Sequence, residues 1–271
     1  MEPLKGMFKP VLGPLNEIGF ERTRRAVAAL ALSLFVFLYL FIALNMPTEQ
    51  WKLVFVLLST CYGVAFMSVA AEWFWGRWFA TGLAWSGVIL AVASMAQIGW
   101  APVLALYGGL HGLVILMLAG KKMAERFDLQ PAWRERYGMD DFGVDRLRKT
   151  VTRASASLPS VILWAVGPKP PGEEAFAVLT FATGALALAG LVGVVRLRAW
   201  GLLALGGAAV AMAVAGSFAY PHFDLAFAGA GEGTAWAYRG VVAGPALPIL
   251  LLASAVAPFF GPTARFLARR R

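Results

Sequence analysis

Residues 154–168, ASASLPSVILWAVGP, decide the fold. As a helix this stretch rises only about 22 Å, short against a hydrocarbon core of about 30 Å. The other apolar blocks are 26–46, 53–71, 78–97, 101–119, 175–195, 199–220 and 240–260. Each is long enough to cross a bilayer. If 154–168 also crosses, the chain is an all-α, polytopic transmembrane bundle of eight spans with both termini cytoplasmic. The alternative is seven spans plus one re-entrant segment, which puts the C-terminal tail outside.

Basic residues separate the two readings. With eight spans, all of the 24 Lys and Arg except Lys52, Lys169 and Arg239 fall on the cytoplasmic side. If 154–168 only dips, then Arg196, Arg198, Arg265, Arg269, Arg270 and Arg271 move outside, and Lys169 and Arg239 move in. Positive charge concentrates on the cytoplasmic side of membrane proteins, so the eight-span reading is favoured.

Composition agrees with a membrane protein. Of 271 residues, 59% are hydrophobic and 14% charged, and the mean hydropathy is +0.69. An ordinary soluble domain carries about 25% charged residues, so disorder, a coiled coil and a soluble domain are all excluded. The net charge of +9 would suggest nucleic acid in a soluble protein. Here the basic residues flank apolar blocks and set orientation, so no nucleic-acid partner is expected. Cys61 is the single cysteine, which rules out an internal disulfide, a C-x-x-C pair and a cysteine metal site. The start, MEPLKGMFKP, lacks the apolar run of a signal peptide.

Five regions follow. Residues 1–25 form a cytoplasmic segment with Leu4, Met7, Phe8, Val11, Leu12, Leu15 and Ile18 near one helical face, suited to the membrane surface. Residues 26–119 make a first four-helix half, bulky in texture. Residues 120–153 are a basic cytoplasmic connector, expected to be solvated, in which Asp141 opens a helix leading into 154–168. Residues 154–260 make a second four-helix half, and 261–271 a basic tail. In that second half Ala185, Ala189 and Gly193 recur every fourth residue, as do Gly207, Ala211 and Ala215. Such faces let helix backbones approach closely in lipid.

Ionisable residues within spans are the default functional candidates. His111, in GGLHG, lies near the middle of the fourth block, and Gly108, Gly109 and Gly112 leave room beside it. The structural reading is a histidine bonded across to a Ser, a Tyr or a backbone carbonyl. The functional one is cofactor binding, with neutral imidazole as an axial ligand to a haem or magnesium pigment. His222, Asp224, Glu232 and Arg239 flank one outer loop and are the candidates for catalysis, although their spacing matches no metal motif. Glu72 is expected to pair with Arg77 or accept from a neighbouring helix. Trp73, Trp75 and Trp78 around it read as an interface belt. No lysine or carboxylate lies at mid-span, which disfavours a retinal protein and an ion-coupled pump.

Little buried chemistry beside much packing surface suggests a non-catalytic structural or accessory subunit of a larger membrane complex. Its expected partners are membrane lipids and other membrane subunits. Its expected place is the cell inner membrane or plasma membrane, with a lipid, quinone or pigment as a candidate ligand. A membrane enzyme on a lipophilic substrate and a small-molecule transporter are the alternatives.

Overall fold

Residues 21–169, 176–215 and 246–269 are described by a computed structural model, and every regular element among them is a helix. In chain order these are α1 Glu21–Asn45, α2 Glu49–Ala70, α3 Gly76–Ile98, α4 Pro102–Leu118, α5 Lys121–Phe127, α6 Pro131–Tyr137, α7 Asp141–Val166, α8 Ala177–Val195, α9 Ala199–Ala215 and α10 Ala246–Arg269. By length and apolar composition α1, α2, α3 and α8 qualify as membrane spans. A fifth joins them if α4 and α5, bent by 76° at their junction, count as one. Apolar parts of α9 and α10 are shorter. The chain is thus a multi-pass, membrane-embedded helical protein. The amphipathic start, at 1–20, lies outside the described residues.

Two rings of four helices organise the bundle. α1 packs on α2, α2 on α3, α3 on α4, and α4 returns to α1. Likewise α7 packs on α8, α8 on α9, α9 on α10, and α10 returns to α7. The rings meet where α7 lies against α3 and α2.

The low hydropathy of 154–168 has its cause in that position. The stretch is the second part of α7, one helix of 26 residues and about 39 Å. Ala154, Ser155, Ala156, Ser157 and Leu158 are all buried in succession, so the helix is covered by protein around its whole circumference. Small residues let neighbours approach, and lipid-facing leucines are not needed. Two of its serine hydroxyls are satisfied within the helix: Ser155 donates to the Val151 carbonyl at 2.8 Å and Ser157 to that of Ala154 at 2.7 Å. Pro159 removes one ladder bond without ending the helix, because close packing on every side holds the flanking turns.

The seam between α7 and α10 follows the same logic. Pro258 has no N–H to give the Ser254 carbonyl four residues earlier. Arg153 donates to that carbonyl from Nη1 at 2.6 Å, and Thr150 donates to the next one, Ala255, at 2.6 Å.

The expected small-residue faces are used only in part, with Gly193 at the contact of α8 and α9. Ala185 and Ala189 are exposed, and so is Gly207. The α8–α9 contact uses Gly190 and Gly193 on α8 with Gly201 and Leu205 on α9, while Gly184 of α8 meets Ala165 and Val161 of α7. A Cβ on Gly193 would come within 2.7 Å of the Gly201 backbone, so the two helices touch main chain to main chain. Small residues occur on several faces of both helices, and four-residue spacing alone does not choose among them.

The connector is solvated on one side and docked on the other. Met123 and Phe127 of α5 and Trp133 of α6 are buried. Trp133 stacks on Phe74, ring centroids 4.3 Å apart, and meets Trp78 edge-on. Trp78 therefore belongs to the core, and Trp73 alone of that trio is largely exposed. Asp140 caps α7 by accepting the Gly143 N–H at 2.7 Å. On the outer face of the same helix, partial burial pushes the Asp145 carboxyl up. Hydrogen bonds from Lys149 and Arg148, with their charges, outweigh that and leave it below its ordinary value.

Candidate functional site

All four helices of the first ring converge on His111, which is fully buried on α4. Its Nδ1 lies 2.8 Å from the Tyr107 carbonyl oxygen, one turn earlier. A carbonyl only accepts, so Nδ1 carries the hydrogen. In the neutral ring Nε2 then holds the lone pair, and Tyr62 of α2 donates its hydroxyl to it at 2.7 Å. Phe35 of α1 covers the imidazole face with centroids 3.9 Å apart. Gly87 of α3 closes another side, where a Cβ would overlap the ring itself. Tyr39 and Tyr107 share a hydroxyl–hydroxyl bond of 2.7 Å beside it.

This is the bonded-across histidine in full. Both nitrogens are engaged, and the space beside the ring is taken by Phe35 and the Gly87 backbone. Ligation of an iron or magnesium by Nε2 would first require Tyr62 to turn away. The glycines that sequence placed next to His111 do something else: Gly108 meets Ala91 of α3, and Gly109 and Gly112 have open space. The glycine that matters is Gly87, 24 positions away on another helix.

Because Tyr62 is the donor to a buried acceptor, Tyr62→Phe is expected to cost about 1–3 kcal/mol. Tyr107→Phe leaves both His111 bonds in place, since only the Tyr107 backbone accepts from the ring, but it strips Tyr39 of its partner and so is no neutral control. Chemical denaturation of Tyr62→Phe against the unmodified protein in detergent checks the bond. An unchanged midpoint would contradict it.

A second polar cluster sits at the end where α1 begins and α2 ends. Arg77 binds Asp128 through Nε at 3.0 Å and again through Nη2, and its Nη1 donates to the Leu118 carbonyl at 3.2 Å. Arg24 donates to the carbonyls of Leu116 and Ala119. Both guanidiniums thus occupy the negative end of α4. Glu72 pairs with Arg126 at 2.6 Å and with Arg25, so its partners come from α5 and α1 and not from Arg77. It holds a left-handed backbone, φ 54°, which its ion pairs and the Gln130 amide on its carbonyl (3.0 Å) secure. No sequence spacing announces Arg77–Asp128, because the partners lie 51 positions apart.

His222, Asp224, Glu232 and Arg239 lie outside the described residues. Among the described residues no three His, Cys, Asp or Glu side chains are grouped to hold a metal ion. No known protein family, curated protein or solved structure matches the chain.

Proposed function

We propose that the protein is a non-catalytic structural or accessory component of a larger assembly in the cell inner or plasma membrane. In this reading it has eight spans and both termini are cytoplasmic. The supporting observation is that the buried groups able to act as acid, base or ligand and named above end in structural bonds. Among the described residues, the buried donors without a partner include the indole N–H groups of Trp78, Trp133 and Trp164, which do neither acid–base nor ligand chemistry. His111 spends both nitrogens on Tyr62 and Tyr107, Asp128 is held by Arg77, and Thr150 and Arg153 close the carbonyls of α10. A substrate path or a catalytic group needs polar atoms left available for other chemistry. Large apolar side chains meanwhile point outward on α1, with Phe37, Phe41 and Leu44, and on α9, with Leu203 and Val210. The eight-span plan draws on the bias of basic residues and on the length of α7.

Native membranes solubilised in mild detergent provide the test. The chain is expected in a species of fixed stoichiometry heavier than its own 29.1 kDa. Recovery as a lone chain, from detergent and from lipid nanodiscs alike, overturns the reading.

A further inference from the structure

Two grooves flank the outward side of α2. The first, about 1020 Å³, lies between α1 and α2. The second, about 390 Å³, runs between α2, α3, α7 and α8. Thr60, Val64 and Trp73 line both, so one wall separates them. Both are walled almost wholly by carbon: Phe37 and Met67 in the first, Phe79, Leu158, Leu188 and Val192 in the second.

Their depth is informative. On α2 the first groove reaches to Ser59 and the second to Leu57, and both end at Trp73, just past the helix. From those residues to Ala70 a helix rises about 17 and about 20 Å, against a hydrocarbon core of about 30 Å. Each groove therefore spans one leaflet and stops soon after the midplane. A partner helix would need a channel across both. At the shallow end stands Arg196, which lines the second groove. No carboxylate among the described residues pairs with it, and Arg198 is exposed beside it. Trp73 and Trp75, with ring centroids 5.2 Å apart, lie at the same end, where indoles settle at head groups.

We propose that the two grooves hold the two acyl chains of one anionic glycerophospholipid, seated astride α2 with its phosphate against Arg196. Two side-by-side carbon-lined slots of one-leaflet depth match a diacyl lipid and not a single-chain amphiphile. A guanidinium pairs with phosphate in two-point geometry, and the basic pair Arg196/Arg198 favours net negative charge. The site belongs to the single chain, so it stands or falls apart from the assembly.

The test uses the purified full-length chain, equilibrated with equal amounts of phosphatidylglycerol and phosphatidylcholine of identical acyl chains and read by native mass spectrometry. One phosphatidylglycerol per chain is expected, preferred about fivefold, the effect of one basic contact near a membrane surface. Arg196→Gln is expected to bring the preference close to unity while a lipid is still retained. Val192→Trp and Met67→Trp fill one groove each. Those side chains are 47% and 53% exposed, so the replacements leave the core alone, which an unchanged denaturation midpoint verifies. Each is expected to lower retention about fivefold or more. A wild-type chain that retains no lipid, or shows no preference, overturns the site, as does full retention by both tryptophan variants. Loss in only one of them overturns the two-chain seating.

Discussion

Gly82→Ala is expected to be among the most damaging single substitutions in the protein, although it adds one methyl group. A Cβ at Gly82 would overlap both Ser155 Oγ and the main-chain carbonyl of Thr152, at the contact of α3 with α7. The hydroxyl can rotate away. The carbonyl is fixed in a helix that is packed on every side, so α3 and α7 must separate. Overpacking of this kind costs about 1–3 kcal/mol and sometimes more. The double variant Gly82→Ala/Ser155→Ala is expected to recover only part, because the carbonyl overlap stays. Gly63→Ala is the control: nothing lies within 4 Å of its Cβ position. It is expected to be neutral or to stabilise by up to about 1 kcal/mol through helix propensity. Cys61, buried and the only thiol in the chain, provides the readout through its reactivity during denaturation. Matching midpoints for the alanines at 82 and 63 would show that the two rings are not in contact there.

The second large effect is expected at Asp128. Its side chain is 5% exposed and that of Arg77 is 12% exposed. Removing one partner of a buried ion pair strands the other charge, at about 3–5 kcal/mol. Asp128→Ala is therefore expected to loosen α5 from α3 and the end of α4, with the Arg77 guanidinium left without its carboxylate. Arg77→Ala is expected to cost at least as much, since it also deprives the Leu118 carbonyl of its donor. Removing both is expected to restore most of the loss. Denaturation midpoints of the four proteins in the cycle give the coupling directly. Simple addition of the two single losses would mean that water or lipid head groups already screen the pair.

The readable and unreadable parts of the chain divide along physical lines. α1, α2, α3 and α8 were visible as apolar blocks because they face lipid on one side, and hydropathy reports lipid contact. α7 was faint for the opposite reason: wrapped in protein, it carries alanine and serine where a peripheral helix carries leucine. His111 was identifiable as a residue, since a histidine at mid-span stands out. Its environment was not, because Tyr62, Phe35 and Gly87 arrive from three other helices. Ala185 and Ala189 illustrate a different limit, in that periodicity finds a candidate face but several faces of α8 carry small residues. The connector misled through its charges. They read as solvated, yet Arg126 and Asp128 spend theirs on Glu72 and Arg77, while Met123, Phe127 and Trp133 supply the buried side.

The bonds from Thr150 and Arg153 to α10 also carry a timetable. Donor and acceptor are 105 and 101 positions apart in the chain. At about 5–20 residues per second, a ribosome needs roughly 5–20 s to make the second partner after the first. During that interval Arg153 has no proline-vacated carbonyl to hold, and head groups or water must serve it. The first ring, whose contacts all precede residue 120, can close during the wait. The second ring stays open along one flank until the final helix arrives, and Arg153 is the latch that receives it.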